Sequence, residues 1–164
     1  MKLGIFLNTF ADMLREPKLL ERIQTIQATL NRQSTQFYDD LVQISASLVK
    51  VPDVERLQKL RADLKEFRFN PTMLLNDSAR QITEICVADC RTLKSHAKVP
   101  LLIHAKTDAD PAAFIVKAND SVVQDHAVMV LLSIFKLLFN PINLKLTTYS
   151  IFPLSSNSGF IELI

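Results

Sequence analysis

The sequence predicts an α+β fold, and three observations carry that prediction. Apolar residues recur at three- and four-residue steps through the first third of the chain, as on one face of a helix. After Pro71 the texture changes to short β-branched and aromatic runs between polar turns. One long apolar stretch, "VMVLLSIFKLLF", then divides the strand-like runs into two groups. Helices followed by strands, rather than a regular alternation of the two, is the order of an α+β fold with an antiparallel sheet.

The elements follow in order. From Leu19 to Leu48 the residues Leu19, Ile23, Ile26, Leu30, Phe37, Leu41, Ile44 and Leu48 keep to one face of a long helix. "VPDVERLQKLRADLKEF" repeats the pattern with Leu57, Leu60, Leu64 and Phe67; Asp53 after Pro52 is the expected N-cap, and Asn70-Pro71 stops the helix. Residues 1–70 are therefore expected to form a helical segment of two or three antiparallel pieces, preceding a unit over 71–164.

In that second unit "QITEICV", "VPLLIHAKT" and "AAFIVKA" read as strands. The helix expected from Asp120 to Phe139 has apolar residues around most of its circumference, which predicts burial on several sides with the sheet packed against it. "INLKLTTY" alternates like a strand, and "SIFPL" and "FIELI" flank the turn-forming "SSNSG".

Composition narrows the function. At 164 residues the chain can bury a real core without metals or disulfides. Its 19 basic and 17 acidic residues leave a net charge of +2 and are scattered, which argues against nucleic acid as the main partner. Two cysteines, Cys86 and Cys90, and no recognisable export signal suit a reducing, cytoplasmic setting. The longest apolar run falls short of the ~20 residues that cross a bilayer and contains Lys136.

Only Gly4 and Gly159 are glycines, so a Walker A loop, a dinucleotide fingerprint and a protein-kinase glycine loop are all excluded. Cys86, Cys90, His96 and His104 have spacings that fit no common zinc site, and no metal site is expected from them. No serine elbow or Cys/His pair supports hydrolase chemistry. What remains is Lys117, alone in an apolar strand, followed by the turn "ANDS" and a helix that opens near Gln124-Asp125. Alone, such a lysine reads as the solvated side of an edge strand. A strand lysine with a carboxylate at the start of the next helix is also an arrangement that readies a cation for nucleotide phosphates.

Here a resemblance enters. "FIVKANDSVVQDHAVMVLLSIFKLLF" resembles the phosphatidylinositol 3- and 4-kinase pattern I-F-K-x-G-D-D-x-R-Q-D with its following apolar helix, keeping Lys117, Asp120, Gln124 and Asp125 in register. "NLKLTTYSIFPLSSNSGFIELI" is similar to the family's next block, through Leu144, Leu146, Tyr149, Gly159 and Glu162. "TLKSHAKVPLLIHAKT" is similar to its phosphate-binding loop and strand, through Ser95, Lys98 and Pro100. "NRQSTQFYDDLVQISASLVK" and "ERLQKLRADL" resemble the two helices that precede this N-terminal lobe. The blocks look most like the class III, vacuolar-sorting phosphatidylinositol 3-kinase, with phosphatidylinositol 4-kinase a close second.

The resemblance implies roles. Lys117 would contact the phosphates of ATP, with Asp125 and Tyr149 lining the inner end of the nucleotide pocket. Ser95 and Lys98 would lie over the phosphates, and Glu162 and Ile164 would present backbone groups to adenine. Mg or Mn would be the accompanying metal, held by a second lobe that also supplies the catalytic residues and lies outside this sequence. The 164 residues alone are therefore expected not to turn over. Implied partners are phosphatidylinositol, met peripherally on endosomal or other internal membranes, and a regulatory subunit.

Asn119, Ser121 and Val123 stand where the family has glycine, aspartate and arginine, and Thr148 replaces a proline. Asparagine tolerates the left-handed conformation that a glycine turn uses. The rival reading is a non-catalytic helical interaction module built on residues 19–67, which leaves the register of Lys117, Asp125, Tyr149 and Glu162 unexplained.

Overall fold

The computed structural model describes residues 36–77, 79–95, 97–138 and 146–163. Within them lie three helices and an antiparallel sheet, the α+β architecture that the sequence predicts. Helix α1 covers residues 36–48 and α2 covers Asp53–Glu66. The strands that follow are β1 (Thr72–Met73), β2 (Gln81–Ile85), β3 (Arg91–Thr92), β4 (Leu101–Thr107) and β5 (Ala112–Ala118). Helix α3 (Val123–Leu138) separates them from the hairpin of β6 (Ile151–Ser155) and β7 (Ser158–Glu162). The expected helix over 19–35 lies outside the described residues.

Neighbouring strands run in the order β1-β2-β4-β5-β7-β6, with short β3 pairing onto β4. Each strand alternates its side chains between two faces. One face is the core: Ile82 and, past an irregularity in the register of β2, Ile85, then Leu101, Ile103 and Ala105 on β4, Phe114 and Val116 on β5, and Phe160 on β7. The apolar stripes of α1 and α2 supply the other half, with Phe37, Tyr38, Leu41, Leu48, Leu60 and Leu64 buried in the same cluster. The rings of Tyr38 and Phe160 meet edge-on at 4.9 Å, and the Tyr38 hydroxyl donates to the Met73 carbonyl at 2.7 Å. The Ser45 hydroxyl donates to the Val99 carbonyl at 2.8 Å, and Arg56 Nε donates to the carbonyls of Leu48 and Val51, closing the turn between the helices.

Four expectations are corrected. Asp53 is the first residue of α2 and not its cap: Pro52 precedes it, no side chain caps the helix, and the Pro52 carbonyl accepts from Glu55 N–H at 2.9 Å. Leu57 is exposed while Leu60 and Leu64 are buried, because the stripe that meets the sheet is narrower than the sequence pattern. The sheet packs on α1 and α2, not on α3. Consequently α3 has no buried residue: it touches β6 at the margin of the sheet and turns Val128, Leu131 and Phe135 to solvent, with Leu137 77% exposed. Of the expected strand "INLKLTTY", residues 142–145 lie outside the described residues, and 146–149 belong to no strand.

Candidate functional site

Strand β5 is interior, flanked by β4 and β7, so Lys117 is not on a sheet edge. Phe114, Val116 and Ala118 point to the core, which leaves Ala113, Ile115 and Lys117 on the opposite, open face. The register sets Ile115 beside Ile161 and Lys117 beside Gly159. Two half-buried isoleucines thus lie side by side, and the lysine stands one step along the same face.

The residue opposite Lys117 has no side chain for a local reason. A Cβ on Gly159 would run into the Cγ2 methyl of Val122 and sit 2.7 Å from the Phe152 carbonyl oxygen. Fully buried Val122 seats the turn between β5 and α3 on β7. Asn119 makes that turn in the left-handed region, at φ 54°, as expected of the asparagine that replaces a glycine. The Asp120 N–H then donates to the Asn157 carbonyl at 2.7 Å. The first turn of α3 is pinned in its own way, by His126 Nδ1 lying 2.7 Å from the Ile151 carbonyl oxygen.

This anchoring delivers Asp125 in the first turn of α3. Lys117 Nζ lies 3.5 Å from Asp120 Oδ2 and 3.9 Å from Asp125 Oδ2, with its side chain 24% exposed. Such half-open pairs contribute little stability. What the geometry gives is a cation held in one place, with enough exposure to meet a further anion. The sequence singled out Lys117 and Asp125. It missed Val122 and His126, and it named Gly159 only through the resemblance, without the contact with Val122 that requires a glycine there.

The other candidates are spread around this cluster. Ser95 is exposed and Lys98 half-buried on the loop from β3 to β4, which is closed by the Leu93 N–H donating to the Pro100 carbonyl at 2.8 Å. The register of Leu101 with Val116 brings the end of that loop alongside the Lys117 end of β5. Among the described residues no ion pair or hydrogen bond ties Ser95 or Lys98 to Lys117. Tyr149 is half-buried and lines an apolar groove of about 930 Å³ between α3 and β6, whose walls include Met129, Ile134, Leu137 and Pro153.

Glu162 pairs with Phe114, three positions along β7 from Gly159 and roughly 10 Å away. Its carboxylate accepts from Asn76 Nδ2 at 2.7 Å and from the Ser150 N–H at 2.9 Å, while its own N–H donates to the Ser150 carbonyl at 2.9 Å. The side chain is thus engaged with two distant segments. The strand end is held further by the Leu163 N–H donating to the Ala113 carbonyl at 3.2 Å. Ile164 lies outside the described residues.

No cluster of three or more His, Cys, Asp or Glu side chains suited to a metal occurs among the described residues. Cys90 accepts from the His104 N–H at 3.4 Å and donates to the Cys86 carbonyl at 3.3 Å, and burial pushes its thiol pKa up. It is a buried free thiol and not a ligand-ready thiolate. His96 lies outside the described residues.

An antiparallel sheet backed by helices thus carries, on its open face, a lysine held beside two carboxylates. Sequence comparison adds a likeness to one class of protein. Over 140 residues the chain is 28% identical to phosphatidylinositol 4-kinase alpha 1 of Arabidopsis thaliana, a stretch covering 78% of this chain and 7% of that protein. No protein-family model matches the chain. The similarity is distant, and it supports a kinase of the phosphatidylinositol type.

Proposed function

We propose that this lobe is the ATP-holding half of a phosphatidylinositol kinase, whose complete form transfers the γ-phosphate of ATP to the inositol ring. The observation that carries the reading is the placement of Lys117, beside Asp125 and one step from the Ile115–Ile161 pair on the same open face. The base would lie on the two isoleucines and the phosphates at Lys117, with Ser95 and Lys98 closing over them from the neighbouring loop. The roughly 10 Å from Gly159 to Glu162 is of the order of the span between base and phosphates in an extended nucleotide. Adenine would meet backbone groups of Glu162 and Ile164, because the Glu162 side chain is already engaged elsewhere. The pocket's inner end would be lined by Asp125 and Tyr149.

Mg or Mn would be held by residues outside this chain, which spans 7% of its curated relative. The apolar outer side of α3 is the surface those further residues would cover. Which hydroxyl is phosphorylated divides the supporting observations: the sequence blocks favour the 3-position, the curated relative favours the 4-position. We place membrane contact at the periphery of endosomal or other internal membranes, with a regulatory subunit; no described helix is long and apolar enough to cross a bilayer. The helical interaction module is disfavoured, because Phe37, Tyr38, Leu41, Leu60 and Leu64 are spent on the sheet.

The test is thermal stabilisation of the chain by Mg·ATP, compared between wild type and Lys117→Met. A shift in the wild type that vanishes in the variant supports the reading. Equal shifts in both, or none in either at millimolar nucleotide, overturn it. Product analysis with this lobe joined to the catalytic lobe of a phosphatidylinositol kinase then separates the 3- from the 4-position.

A further inference from the structure

The chain has two cysteines, and they stand at either end of the turn that carries β2 into β3. Both of those strands pair with β4: Ile85 lies opposite Ala105 and Arg91 opposite Leu102, so the turn passes over the β4 edge at Ile103 and His104. A sulfur takes part in the ladder there. The Cys86 N–H donates to the His104 carbonyl at 2.8 Å, and the His104 N–H donates to Cys90 Sγ at 3.4 Å. The Cys90 S–H points back across the turn to the Cys86 carbonyl at 3.3 Å, an oxygen that also accepts from the Asp89 N–H at 3.0 Å.

These bonds hold the two side chains close. The His104 carbonyl oxygen is 2.8 Å from Cys86 N and 3.8 Å from Cys90 Sγ, and the Cys86 Cβ is only three bonds from the oxygen that the Cys90 thiol touches. The thiols are near enough to interact electrostatically. A disulfide needs its two Cα atoms within about 7 Å, a separation that a closed turn supplies. The two sulfurs differ in setting. Cys90 is buried in the core cluster, and that burial keeps its proton on; Cys86 is half-buried and lies outside the cluster.

We propose that Cys86 and Cys90 form an oxidation site for hydrogen peroxide, with Cys86 the sulfur that reacts and Cys90 the one that resolves the product. The Cys86 sulfur attacks one peroxide oxygen; the O–O bond breaks, hydroxide leaves with the Cys86 proton as water, and a sulfenic acid remains. Cys90 then attacks that sulfur: an S–S bond forms, the S–O bond breaks, and the second hydroxide takes the Cys90 proton as water. Two thiols have lost two electrons and one peroxide has become two waters. The disulfide keeps a lone pair for the His104 N–H but withdraws the S–H from the Cys86 carbonyl. It closes the same turn that Arg61 of α2 holds through the Ala88 carbonyl at 2.8 Å. No group of the nucleotide site takes part, so the proposal stands or falls independently of that reading.

The experiment treats the reduced 164-residue chain with millimolar hydrogen peroxide, alkylates the remaining thiols, and digests with trypsin. Residues 81–91, between the cleavage points after Arg80 and Arg91, carry both cysteines on one peptide. In the wild type that peptide should lose two hydrogens, escape alkylation, and regain both thiols with dithiothreitol. Cys86→Ser should slow thiol loss by about tenfold or more, because only the buried sulfur is left. Cys90→Ser, whose hydroxyl can keep the bonds to Cys86 and His104, should still react but should carry Cys86 on to sulfinic acid. Sulfinic acid on Cys86 of the wild type with Cys90 still a thiol would overturn the proposal. So would a disulfide that joins two chains, or no loss of thiol after hours in peroxide.

Discussion

Val122 fills the space that Gly159 leaves open, and this contact helps to fix where α3 begins relative to Lys117. Adding a methyl at 159 has nowhere to go, because the Phe152 carbonyl closes the other side at 2.7 Å. Gly159→Ala is expected to destabilise by about 1–3 kcal/mol through overpacking. Urea denaturation measures it; a loss under about 0.5 kcal/mol would show that the turn can move without cost.

Lys117→Met removes the cation while keeping most of the apolar stem. Its partners are half-exposed carboxylates, so the unfolding free energy should change by less than about 1 kcal/mol. Nucleotide-dependent stabilisation should disappear. A variant that unfolds in the absence of nucleotide would make Lys117 a structural residue and remove it from the site.

Glu162→Gln tests the bracket at the strand end. A carboxylate accepts from both Asn76 Nδ2 and the Ser150 N–H, whereas an amide accepts through one atom and turns an NH₂ toward the other donor. The expected loss is about 1–3 kcal/mol. Amide hydrogen exchange at Ser150 should quicken in the variant; an unchanged rate would mean that the bracket does not hold that segment.

Tyr38 titrates above the ordinary phenol range because burial disfavours its charged form, a shift only partly opposed by the Leu75 backbone bond. The folded state therefore holds this proton more tightly than the unfolded chain does. Its contribution to stability is complete below the ordinary phenol pKa of about 10 and is lost progressively as pH rises from there toward the raised value of the folded state. Tyr38→Phe should cost about 1 kcal/mol near neutrality, through the lost bond to Met73, and flatten the decline above about pH 10. Denaturation curves for both proteins from pH 7 to 11 decide the matter: parallel declines would place the alkaline sensitivity elsewhere.

Leu131→Lys puts a charge on the solvent side of α3. If that side meets only water in this chain, stability should change by no more than about 0.5 kcal/mol and solubility should rise. A loss of 2 kcal/mol or more would mean that α3 is buried in solution.

The α+β class was legible because two periodicities, helical and alternating, occupied separate parts of the chain. Lys117, Asp120 and Asp125 were legible as a motif, and the structure brings both carboxylates within 4 Å of Lys117 Nζ. The surroundings of α3 were not legible. An all-round apolar helix looks the same whether its cover belongs to its own fold or to something else, and here α1 and α2 had already taken the core face. The Asn76–Glu162–Ser150 bracket was hidden for a different reason: its partners lie far apart in sequence, and none belongs to a local pattern.

The edge-on contact of Tyr38 with Phe160 also has a meaning in time. Synthesis is vectorial, at about 5–20 residues per second, so α1 leaves the ribosome on the order of ten seconds before the strand that covers it. Until β7 arrives, Phe37 and Tyr38 have no complete wall to pack on, and closure of the core requires contacts between the two ends of the described chain. Folding of this lobe should therefore be late and all at once, with the nascent helices the segment that chaperones would hold.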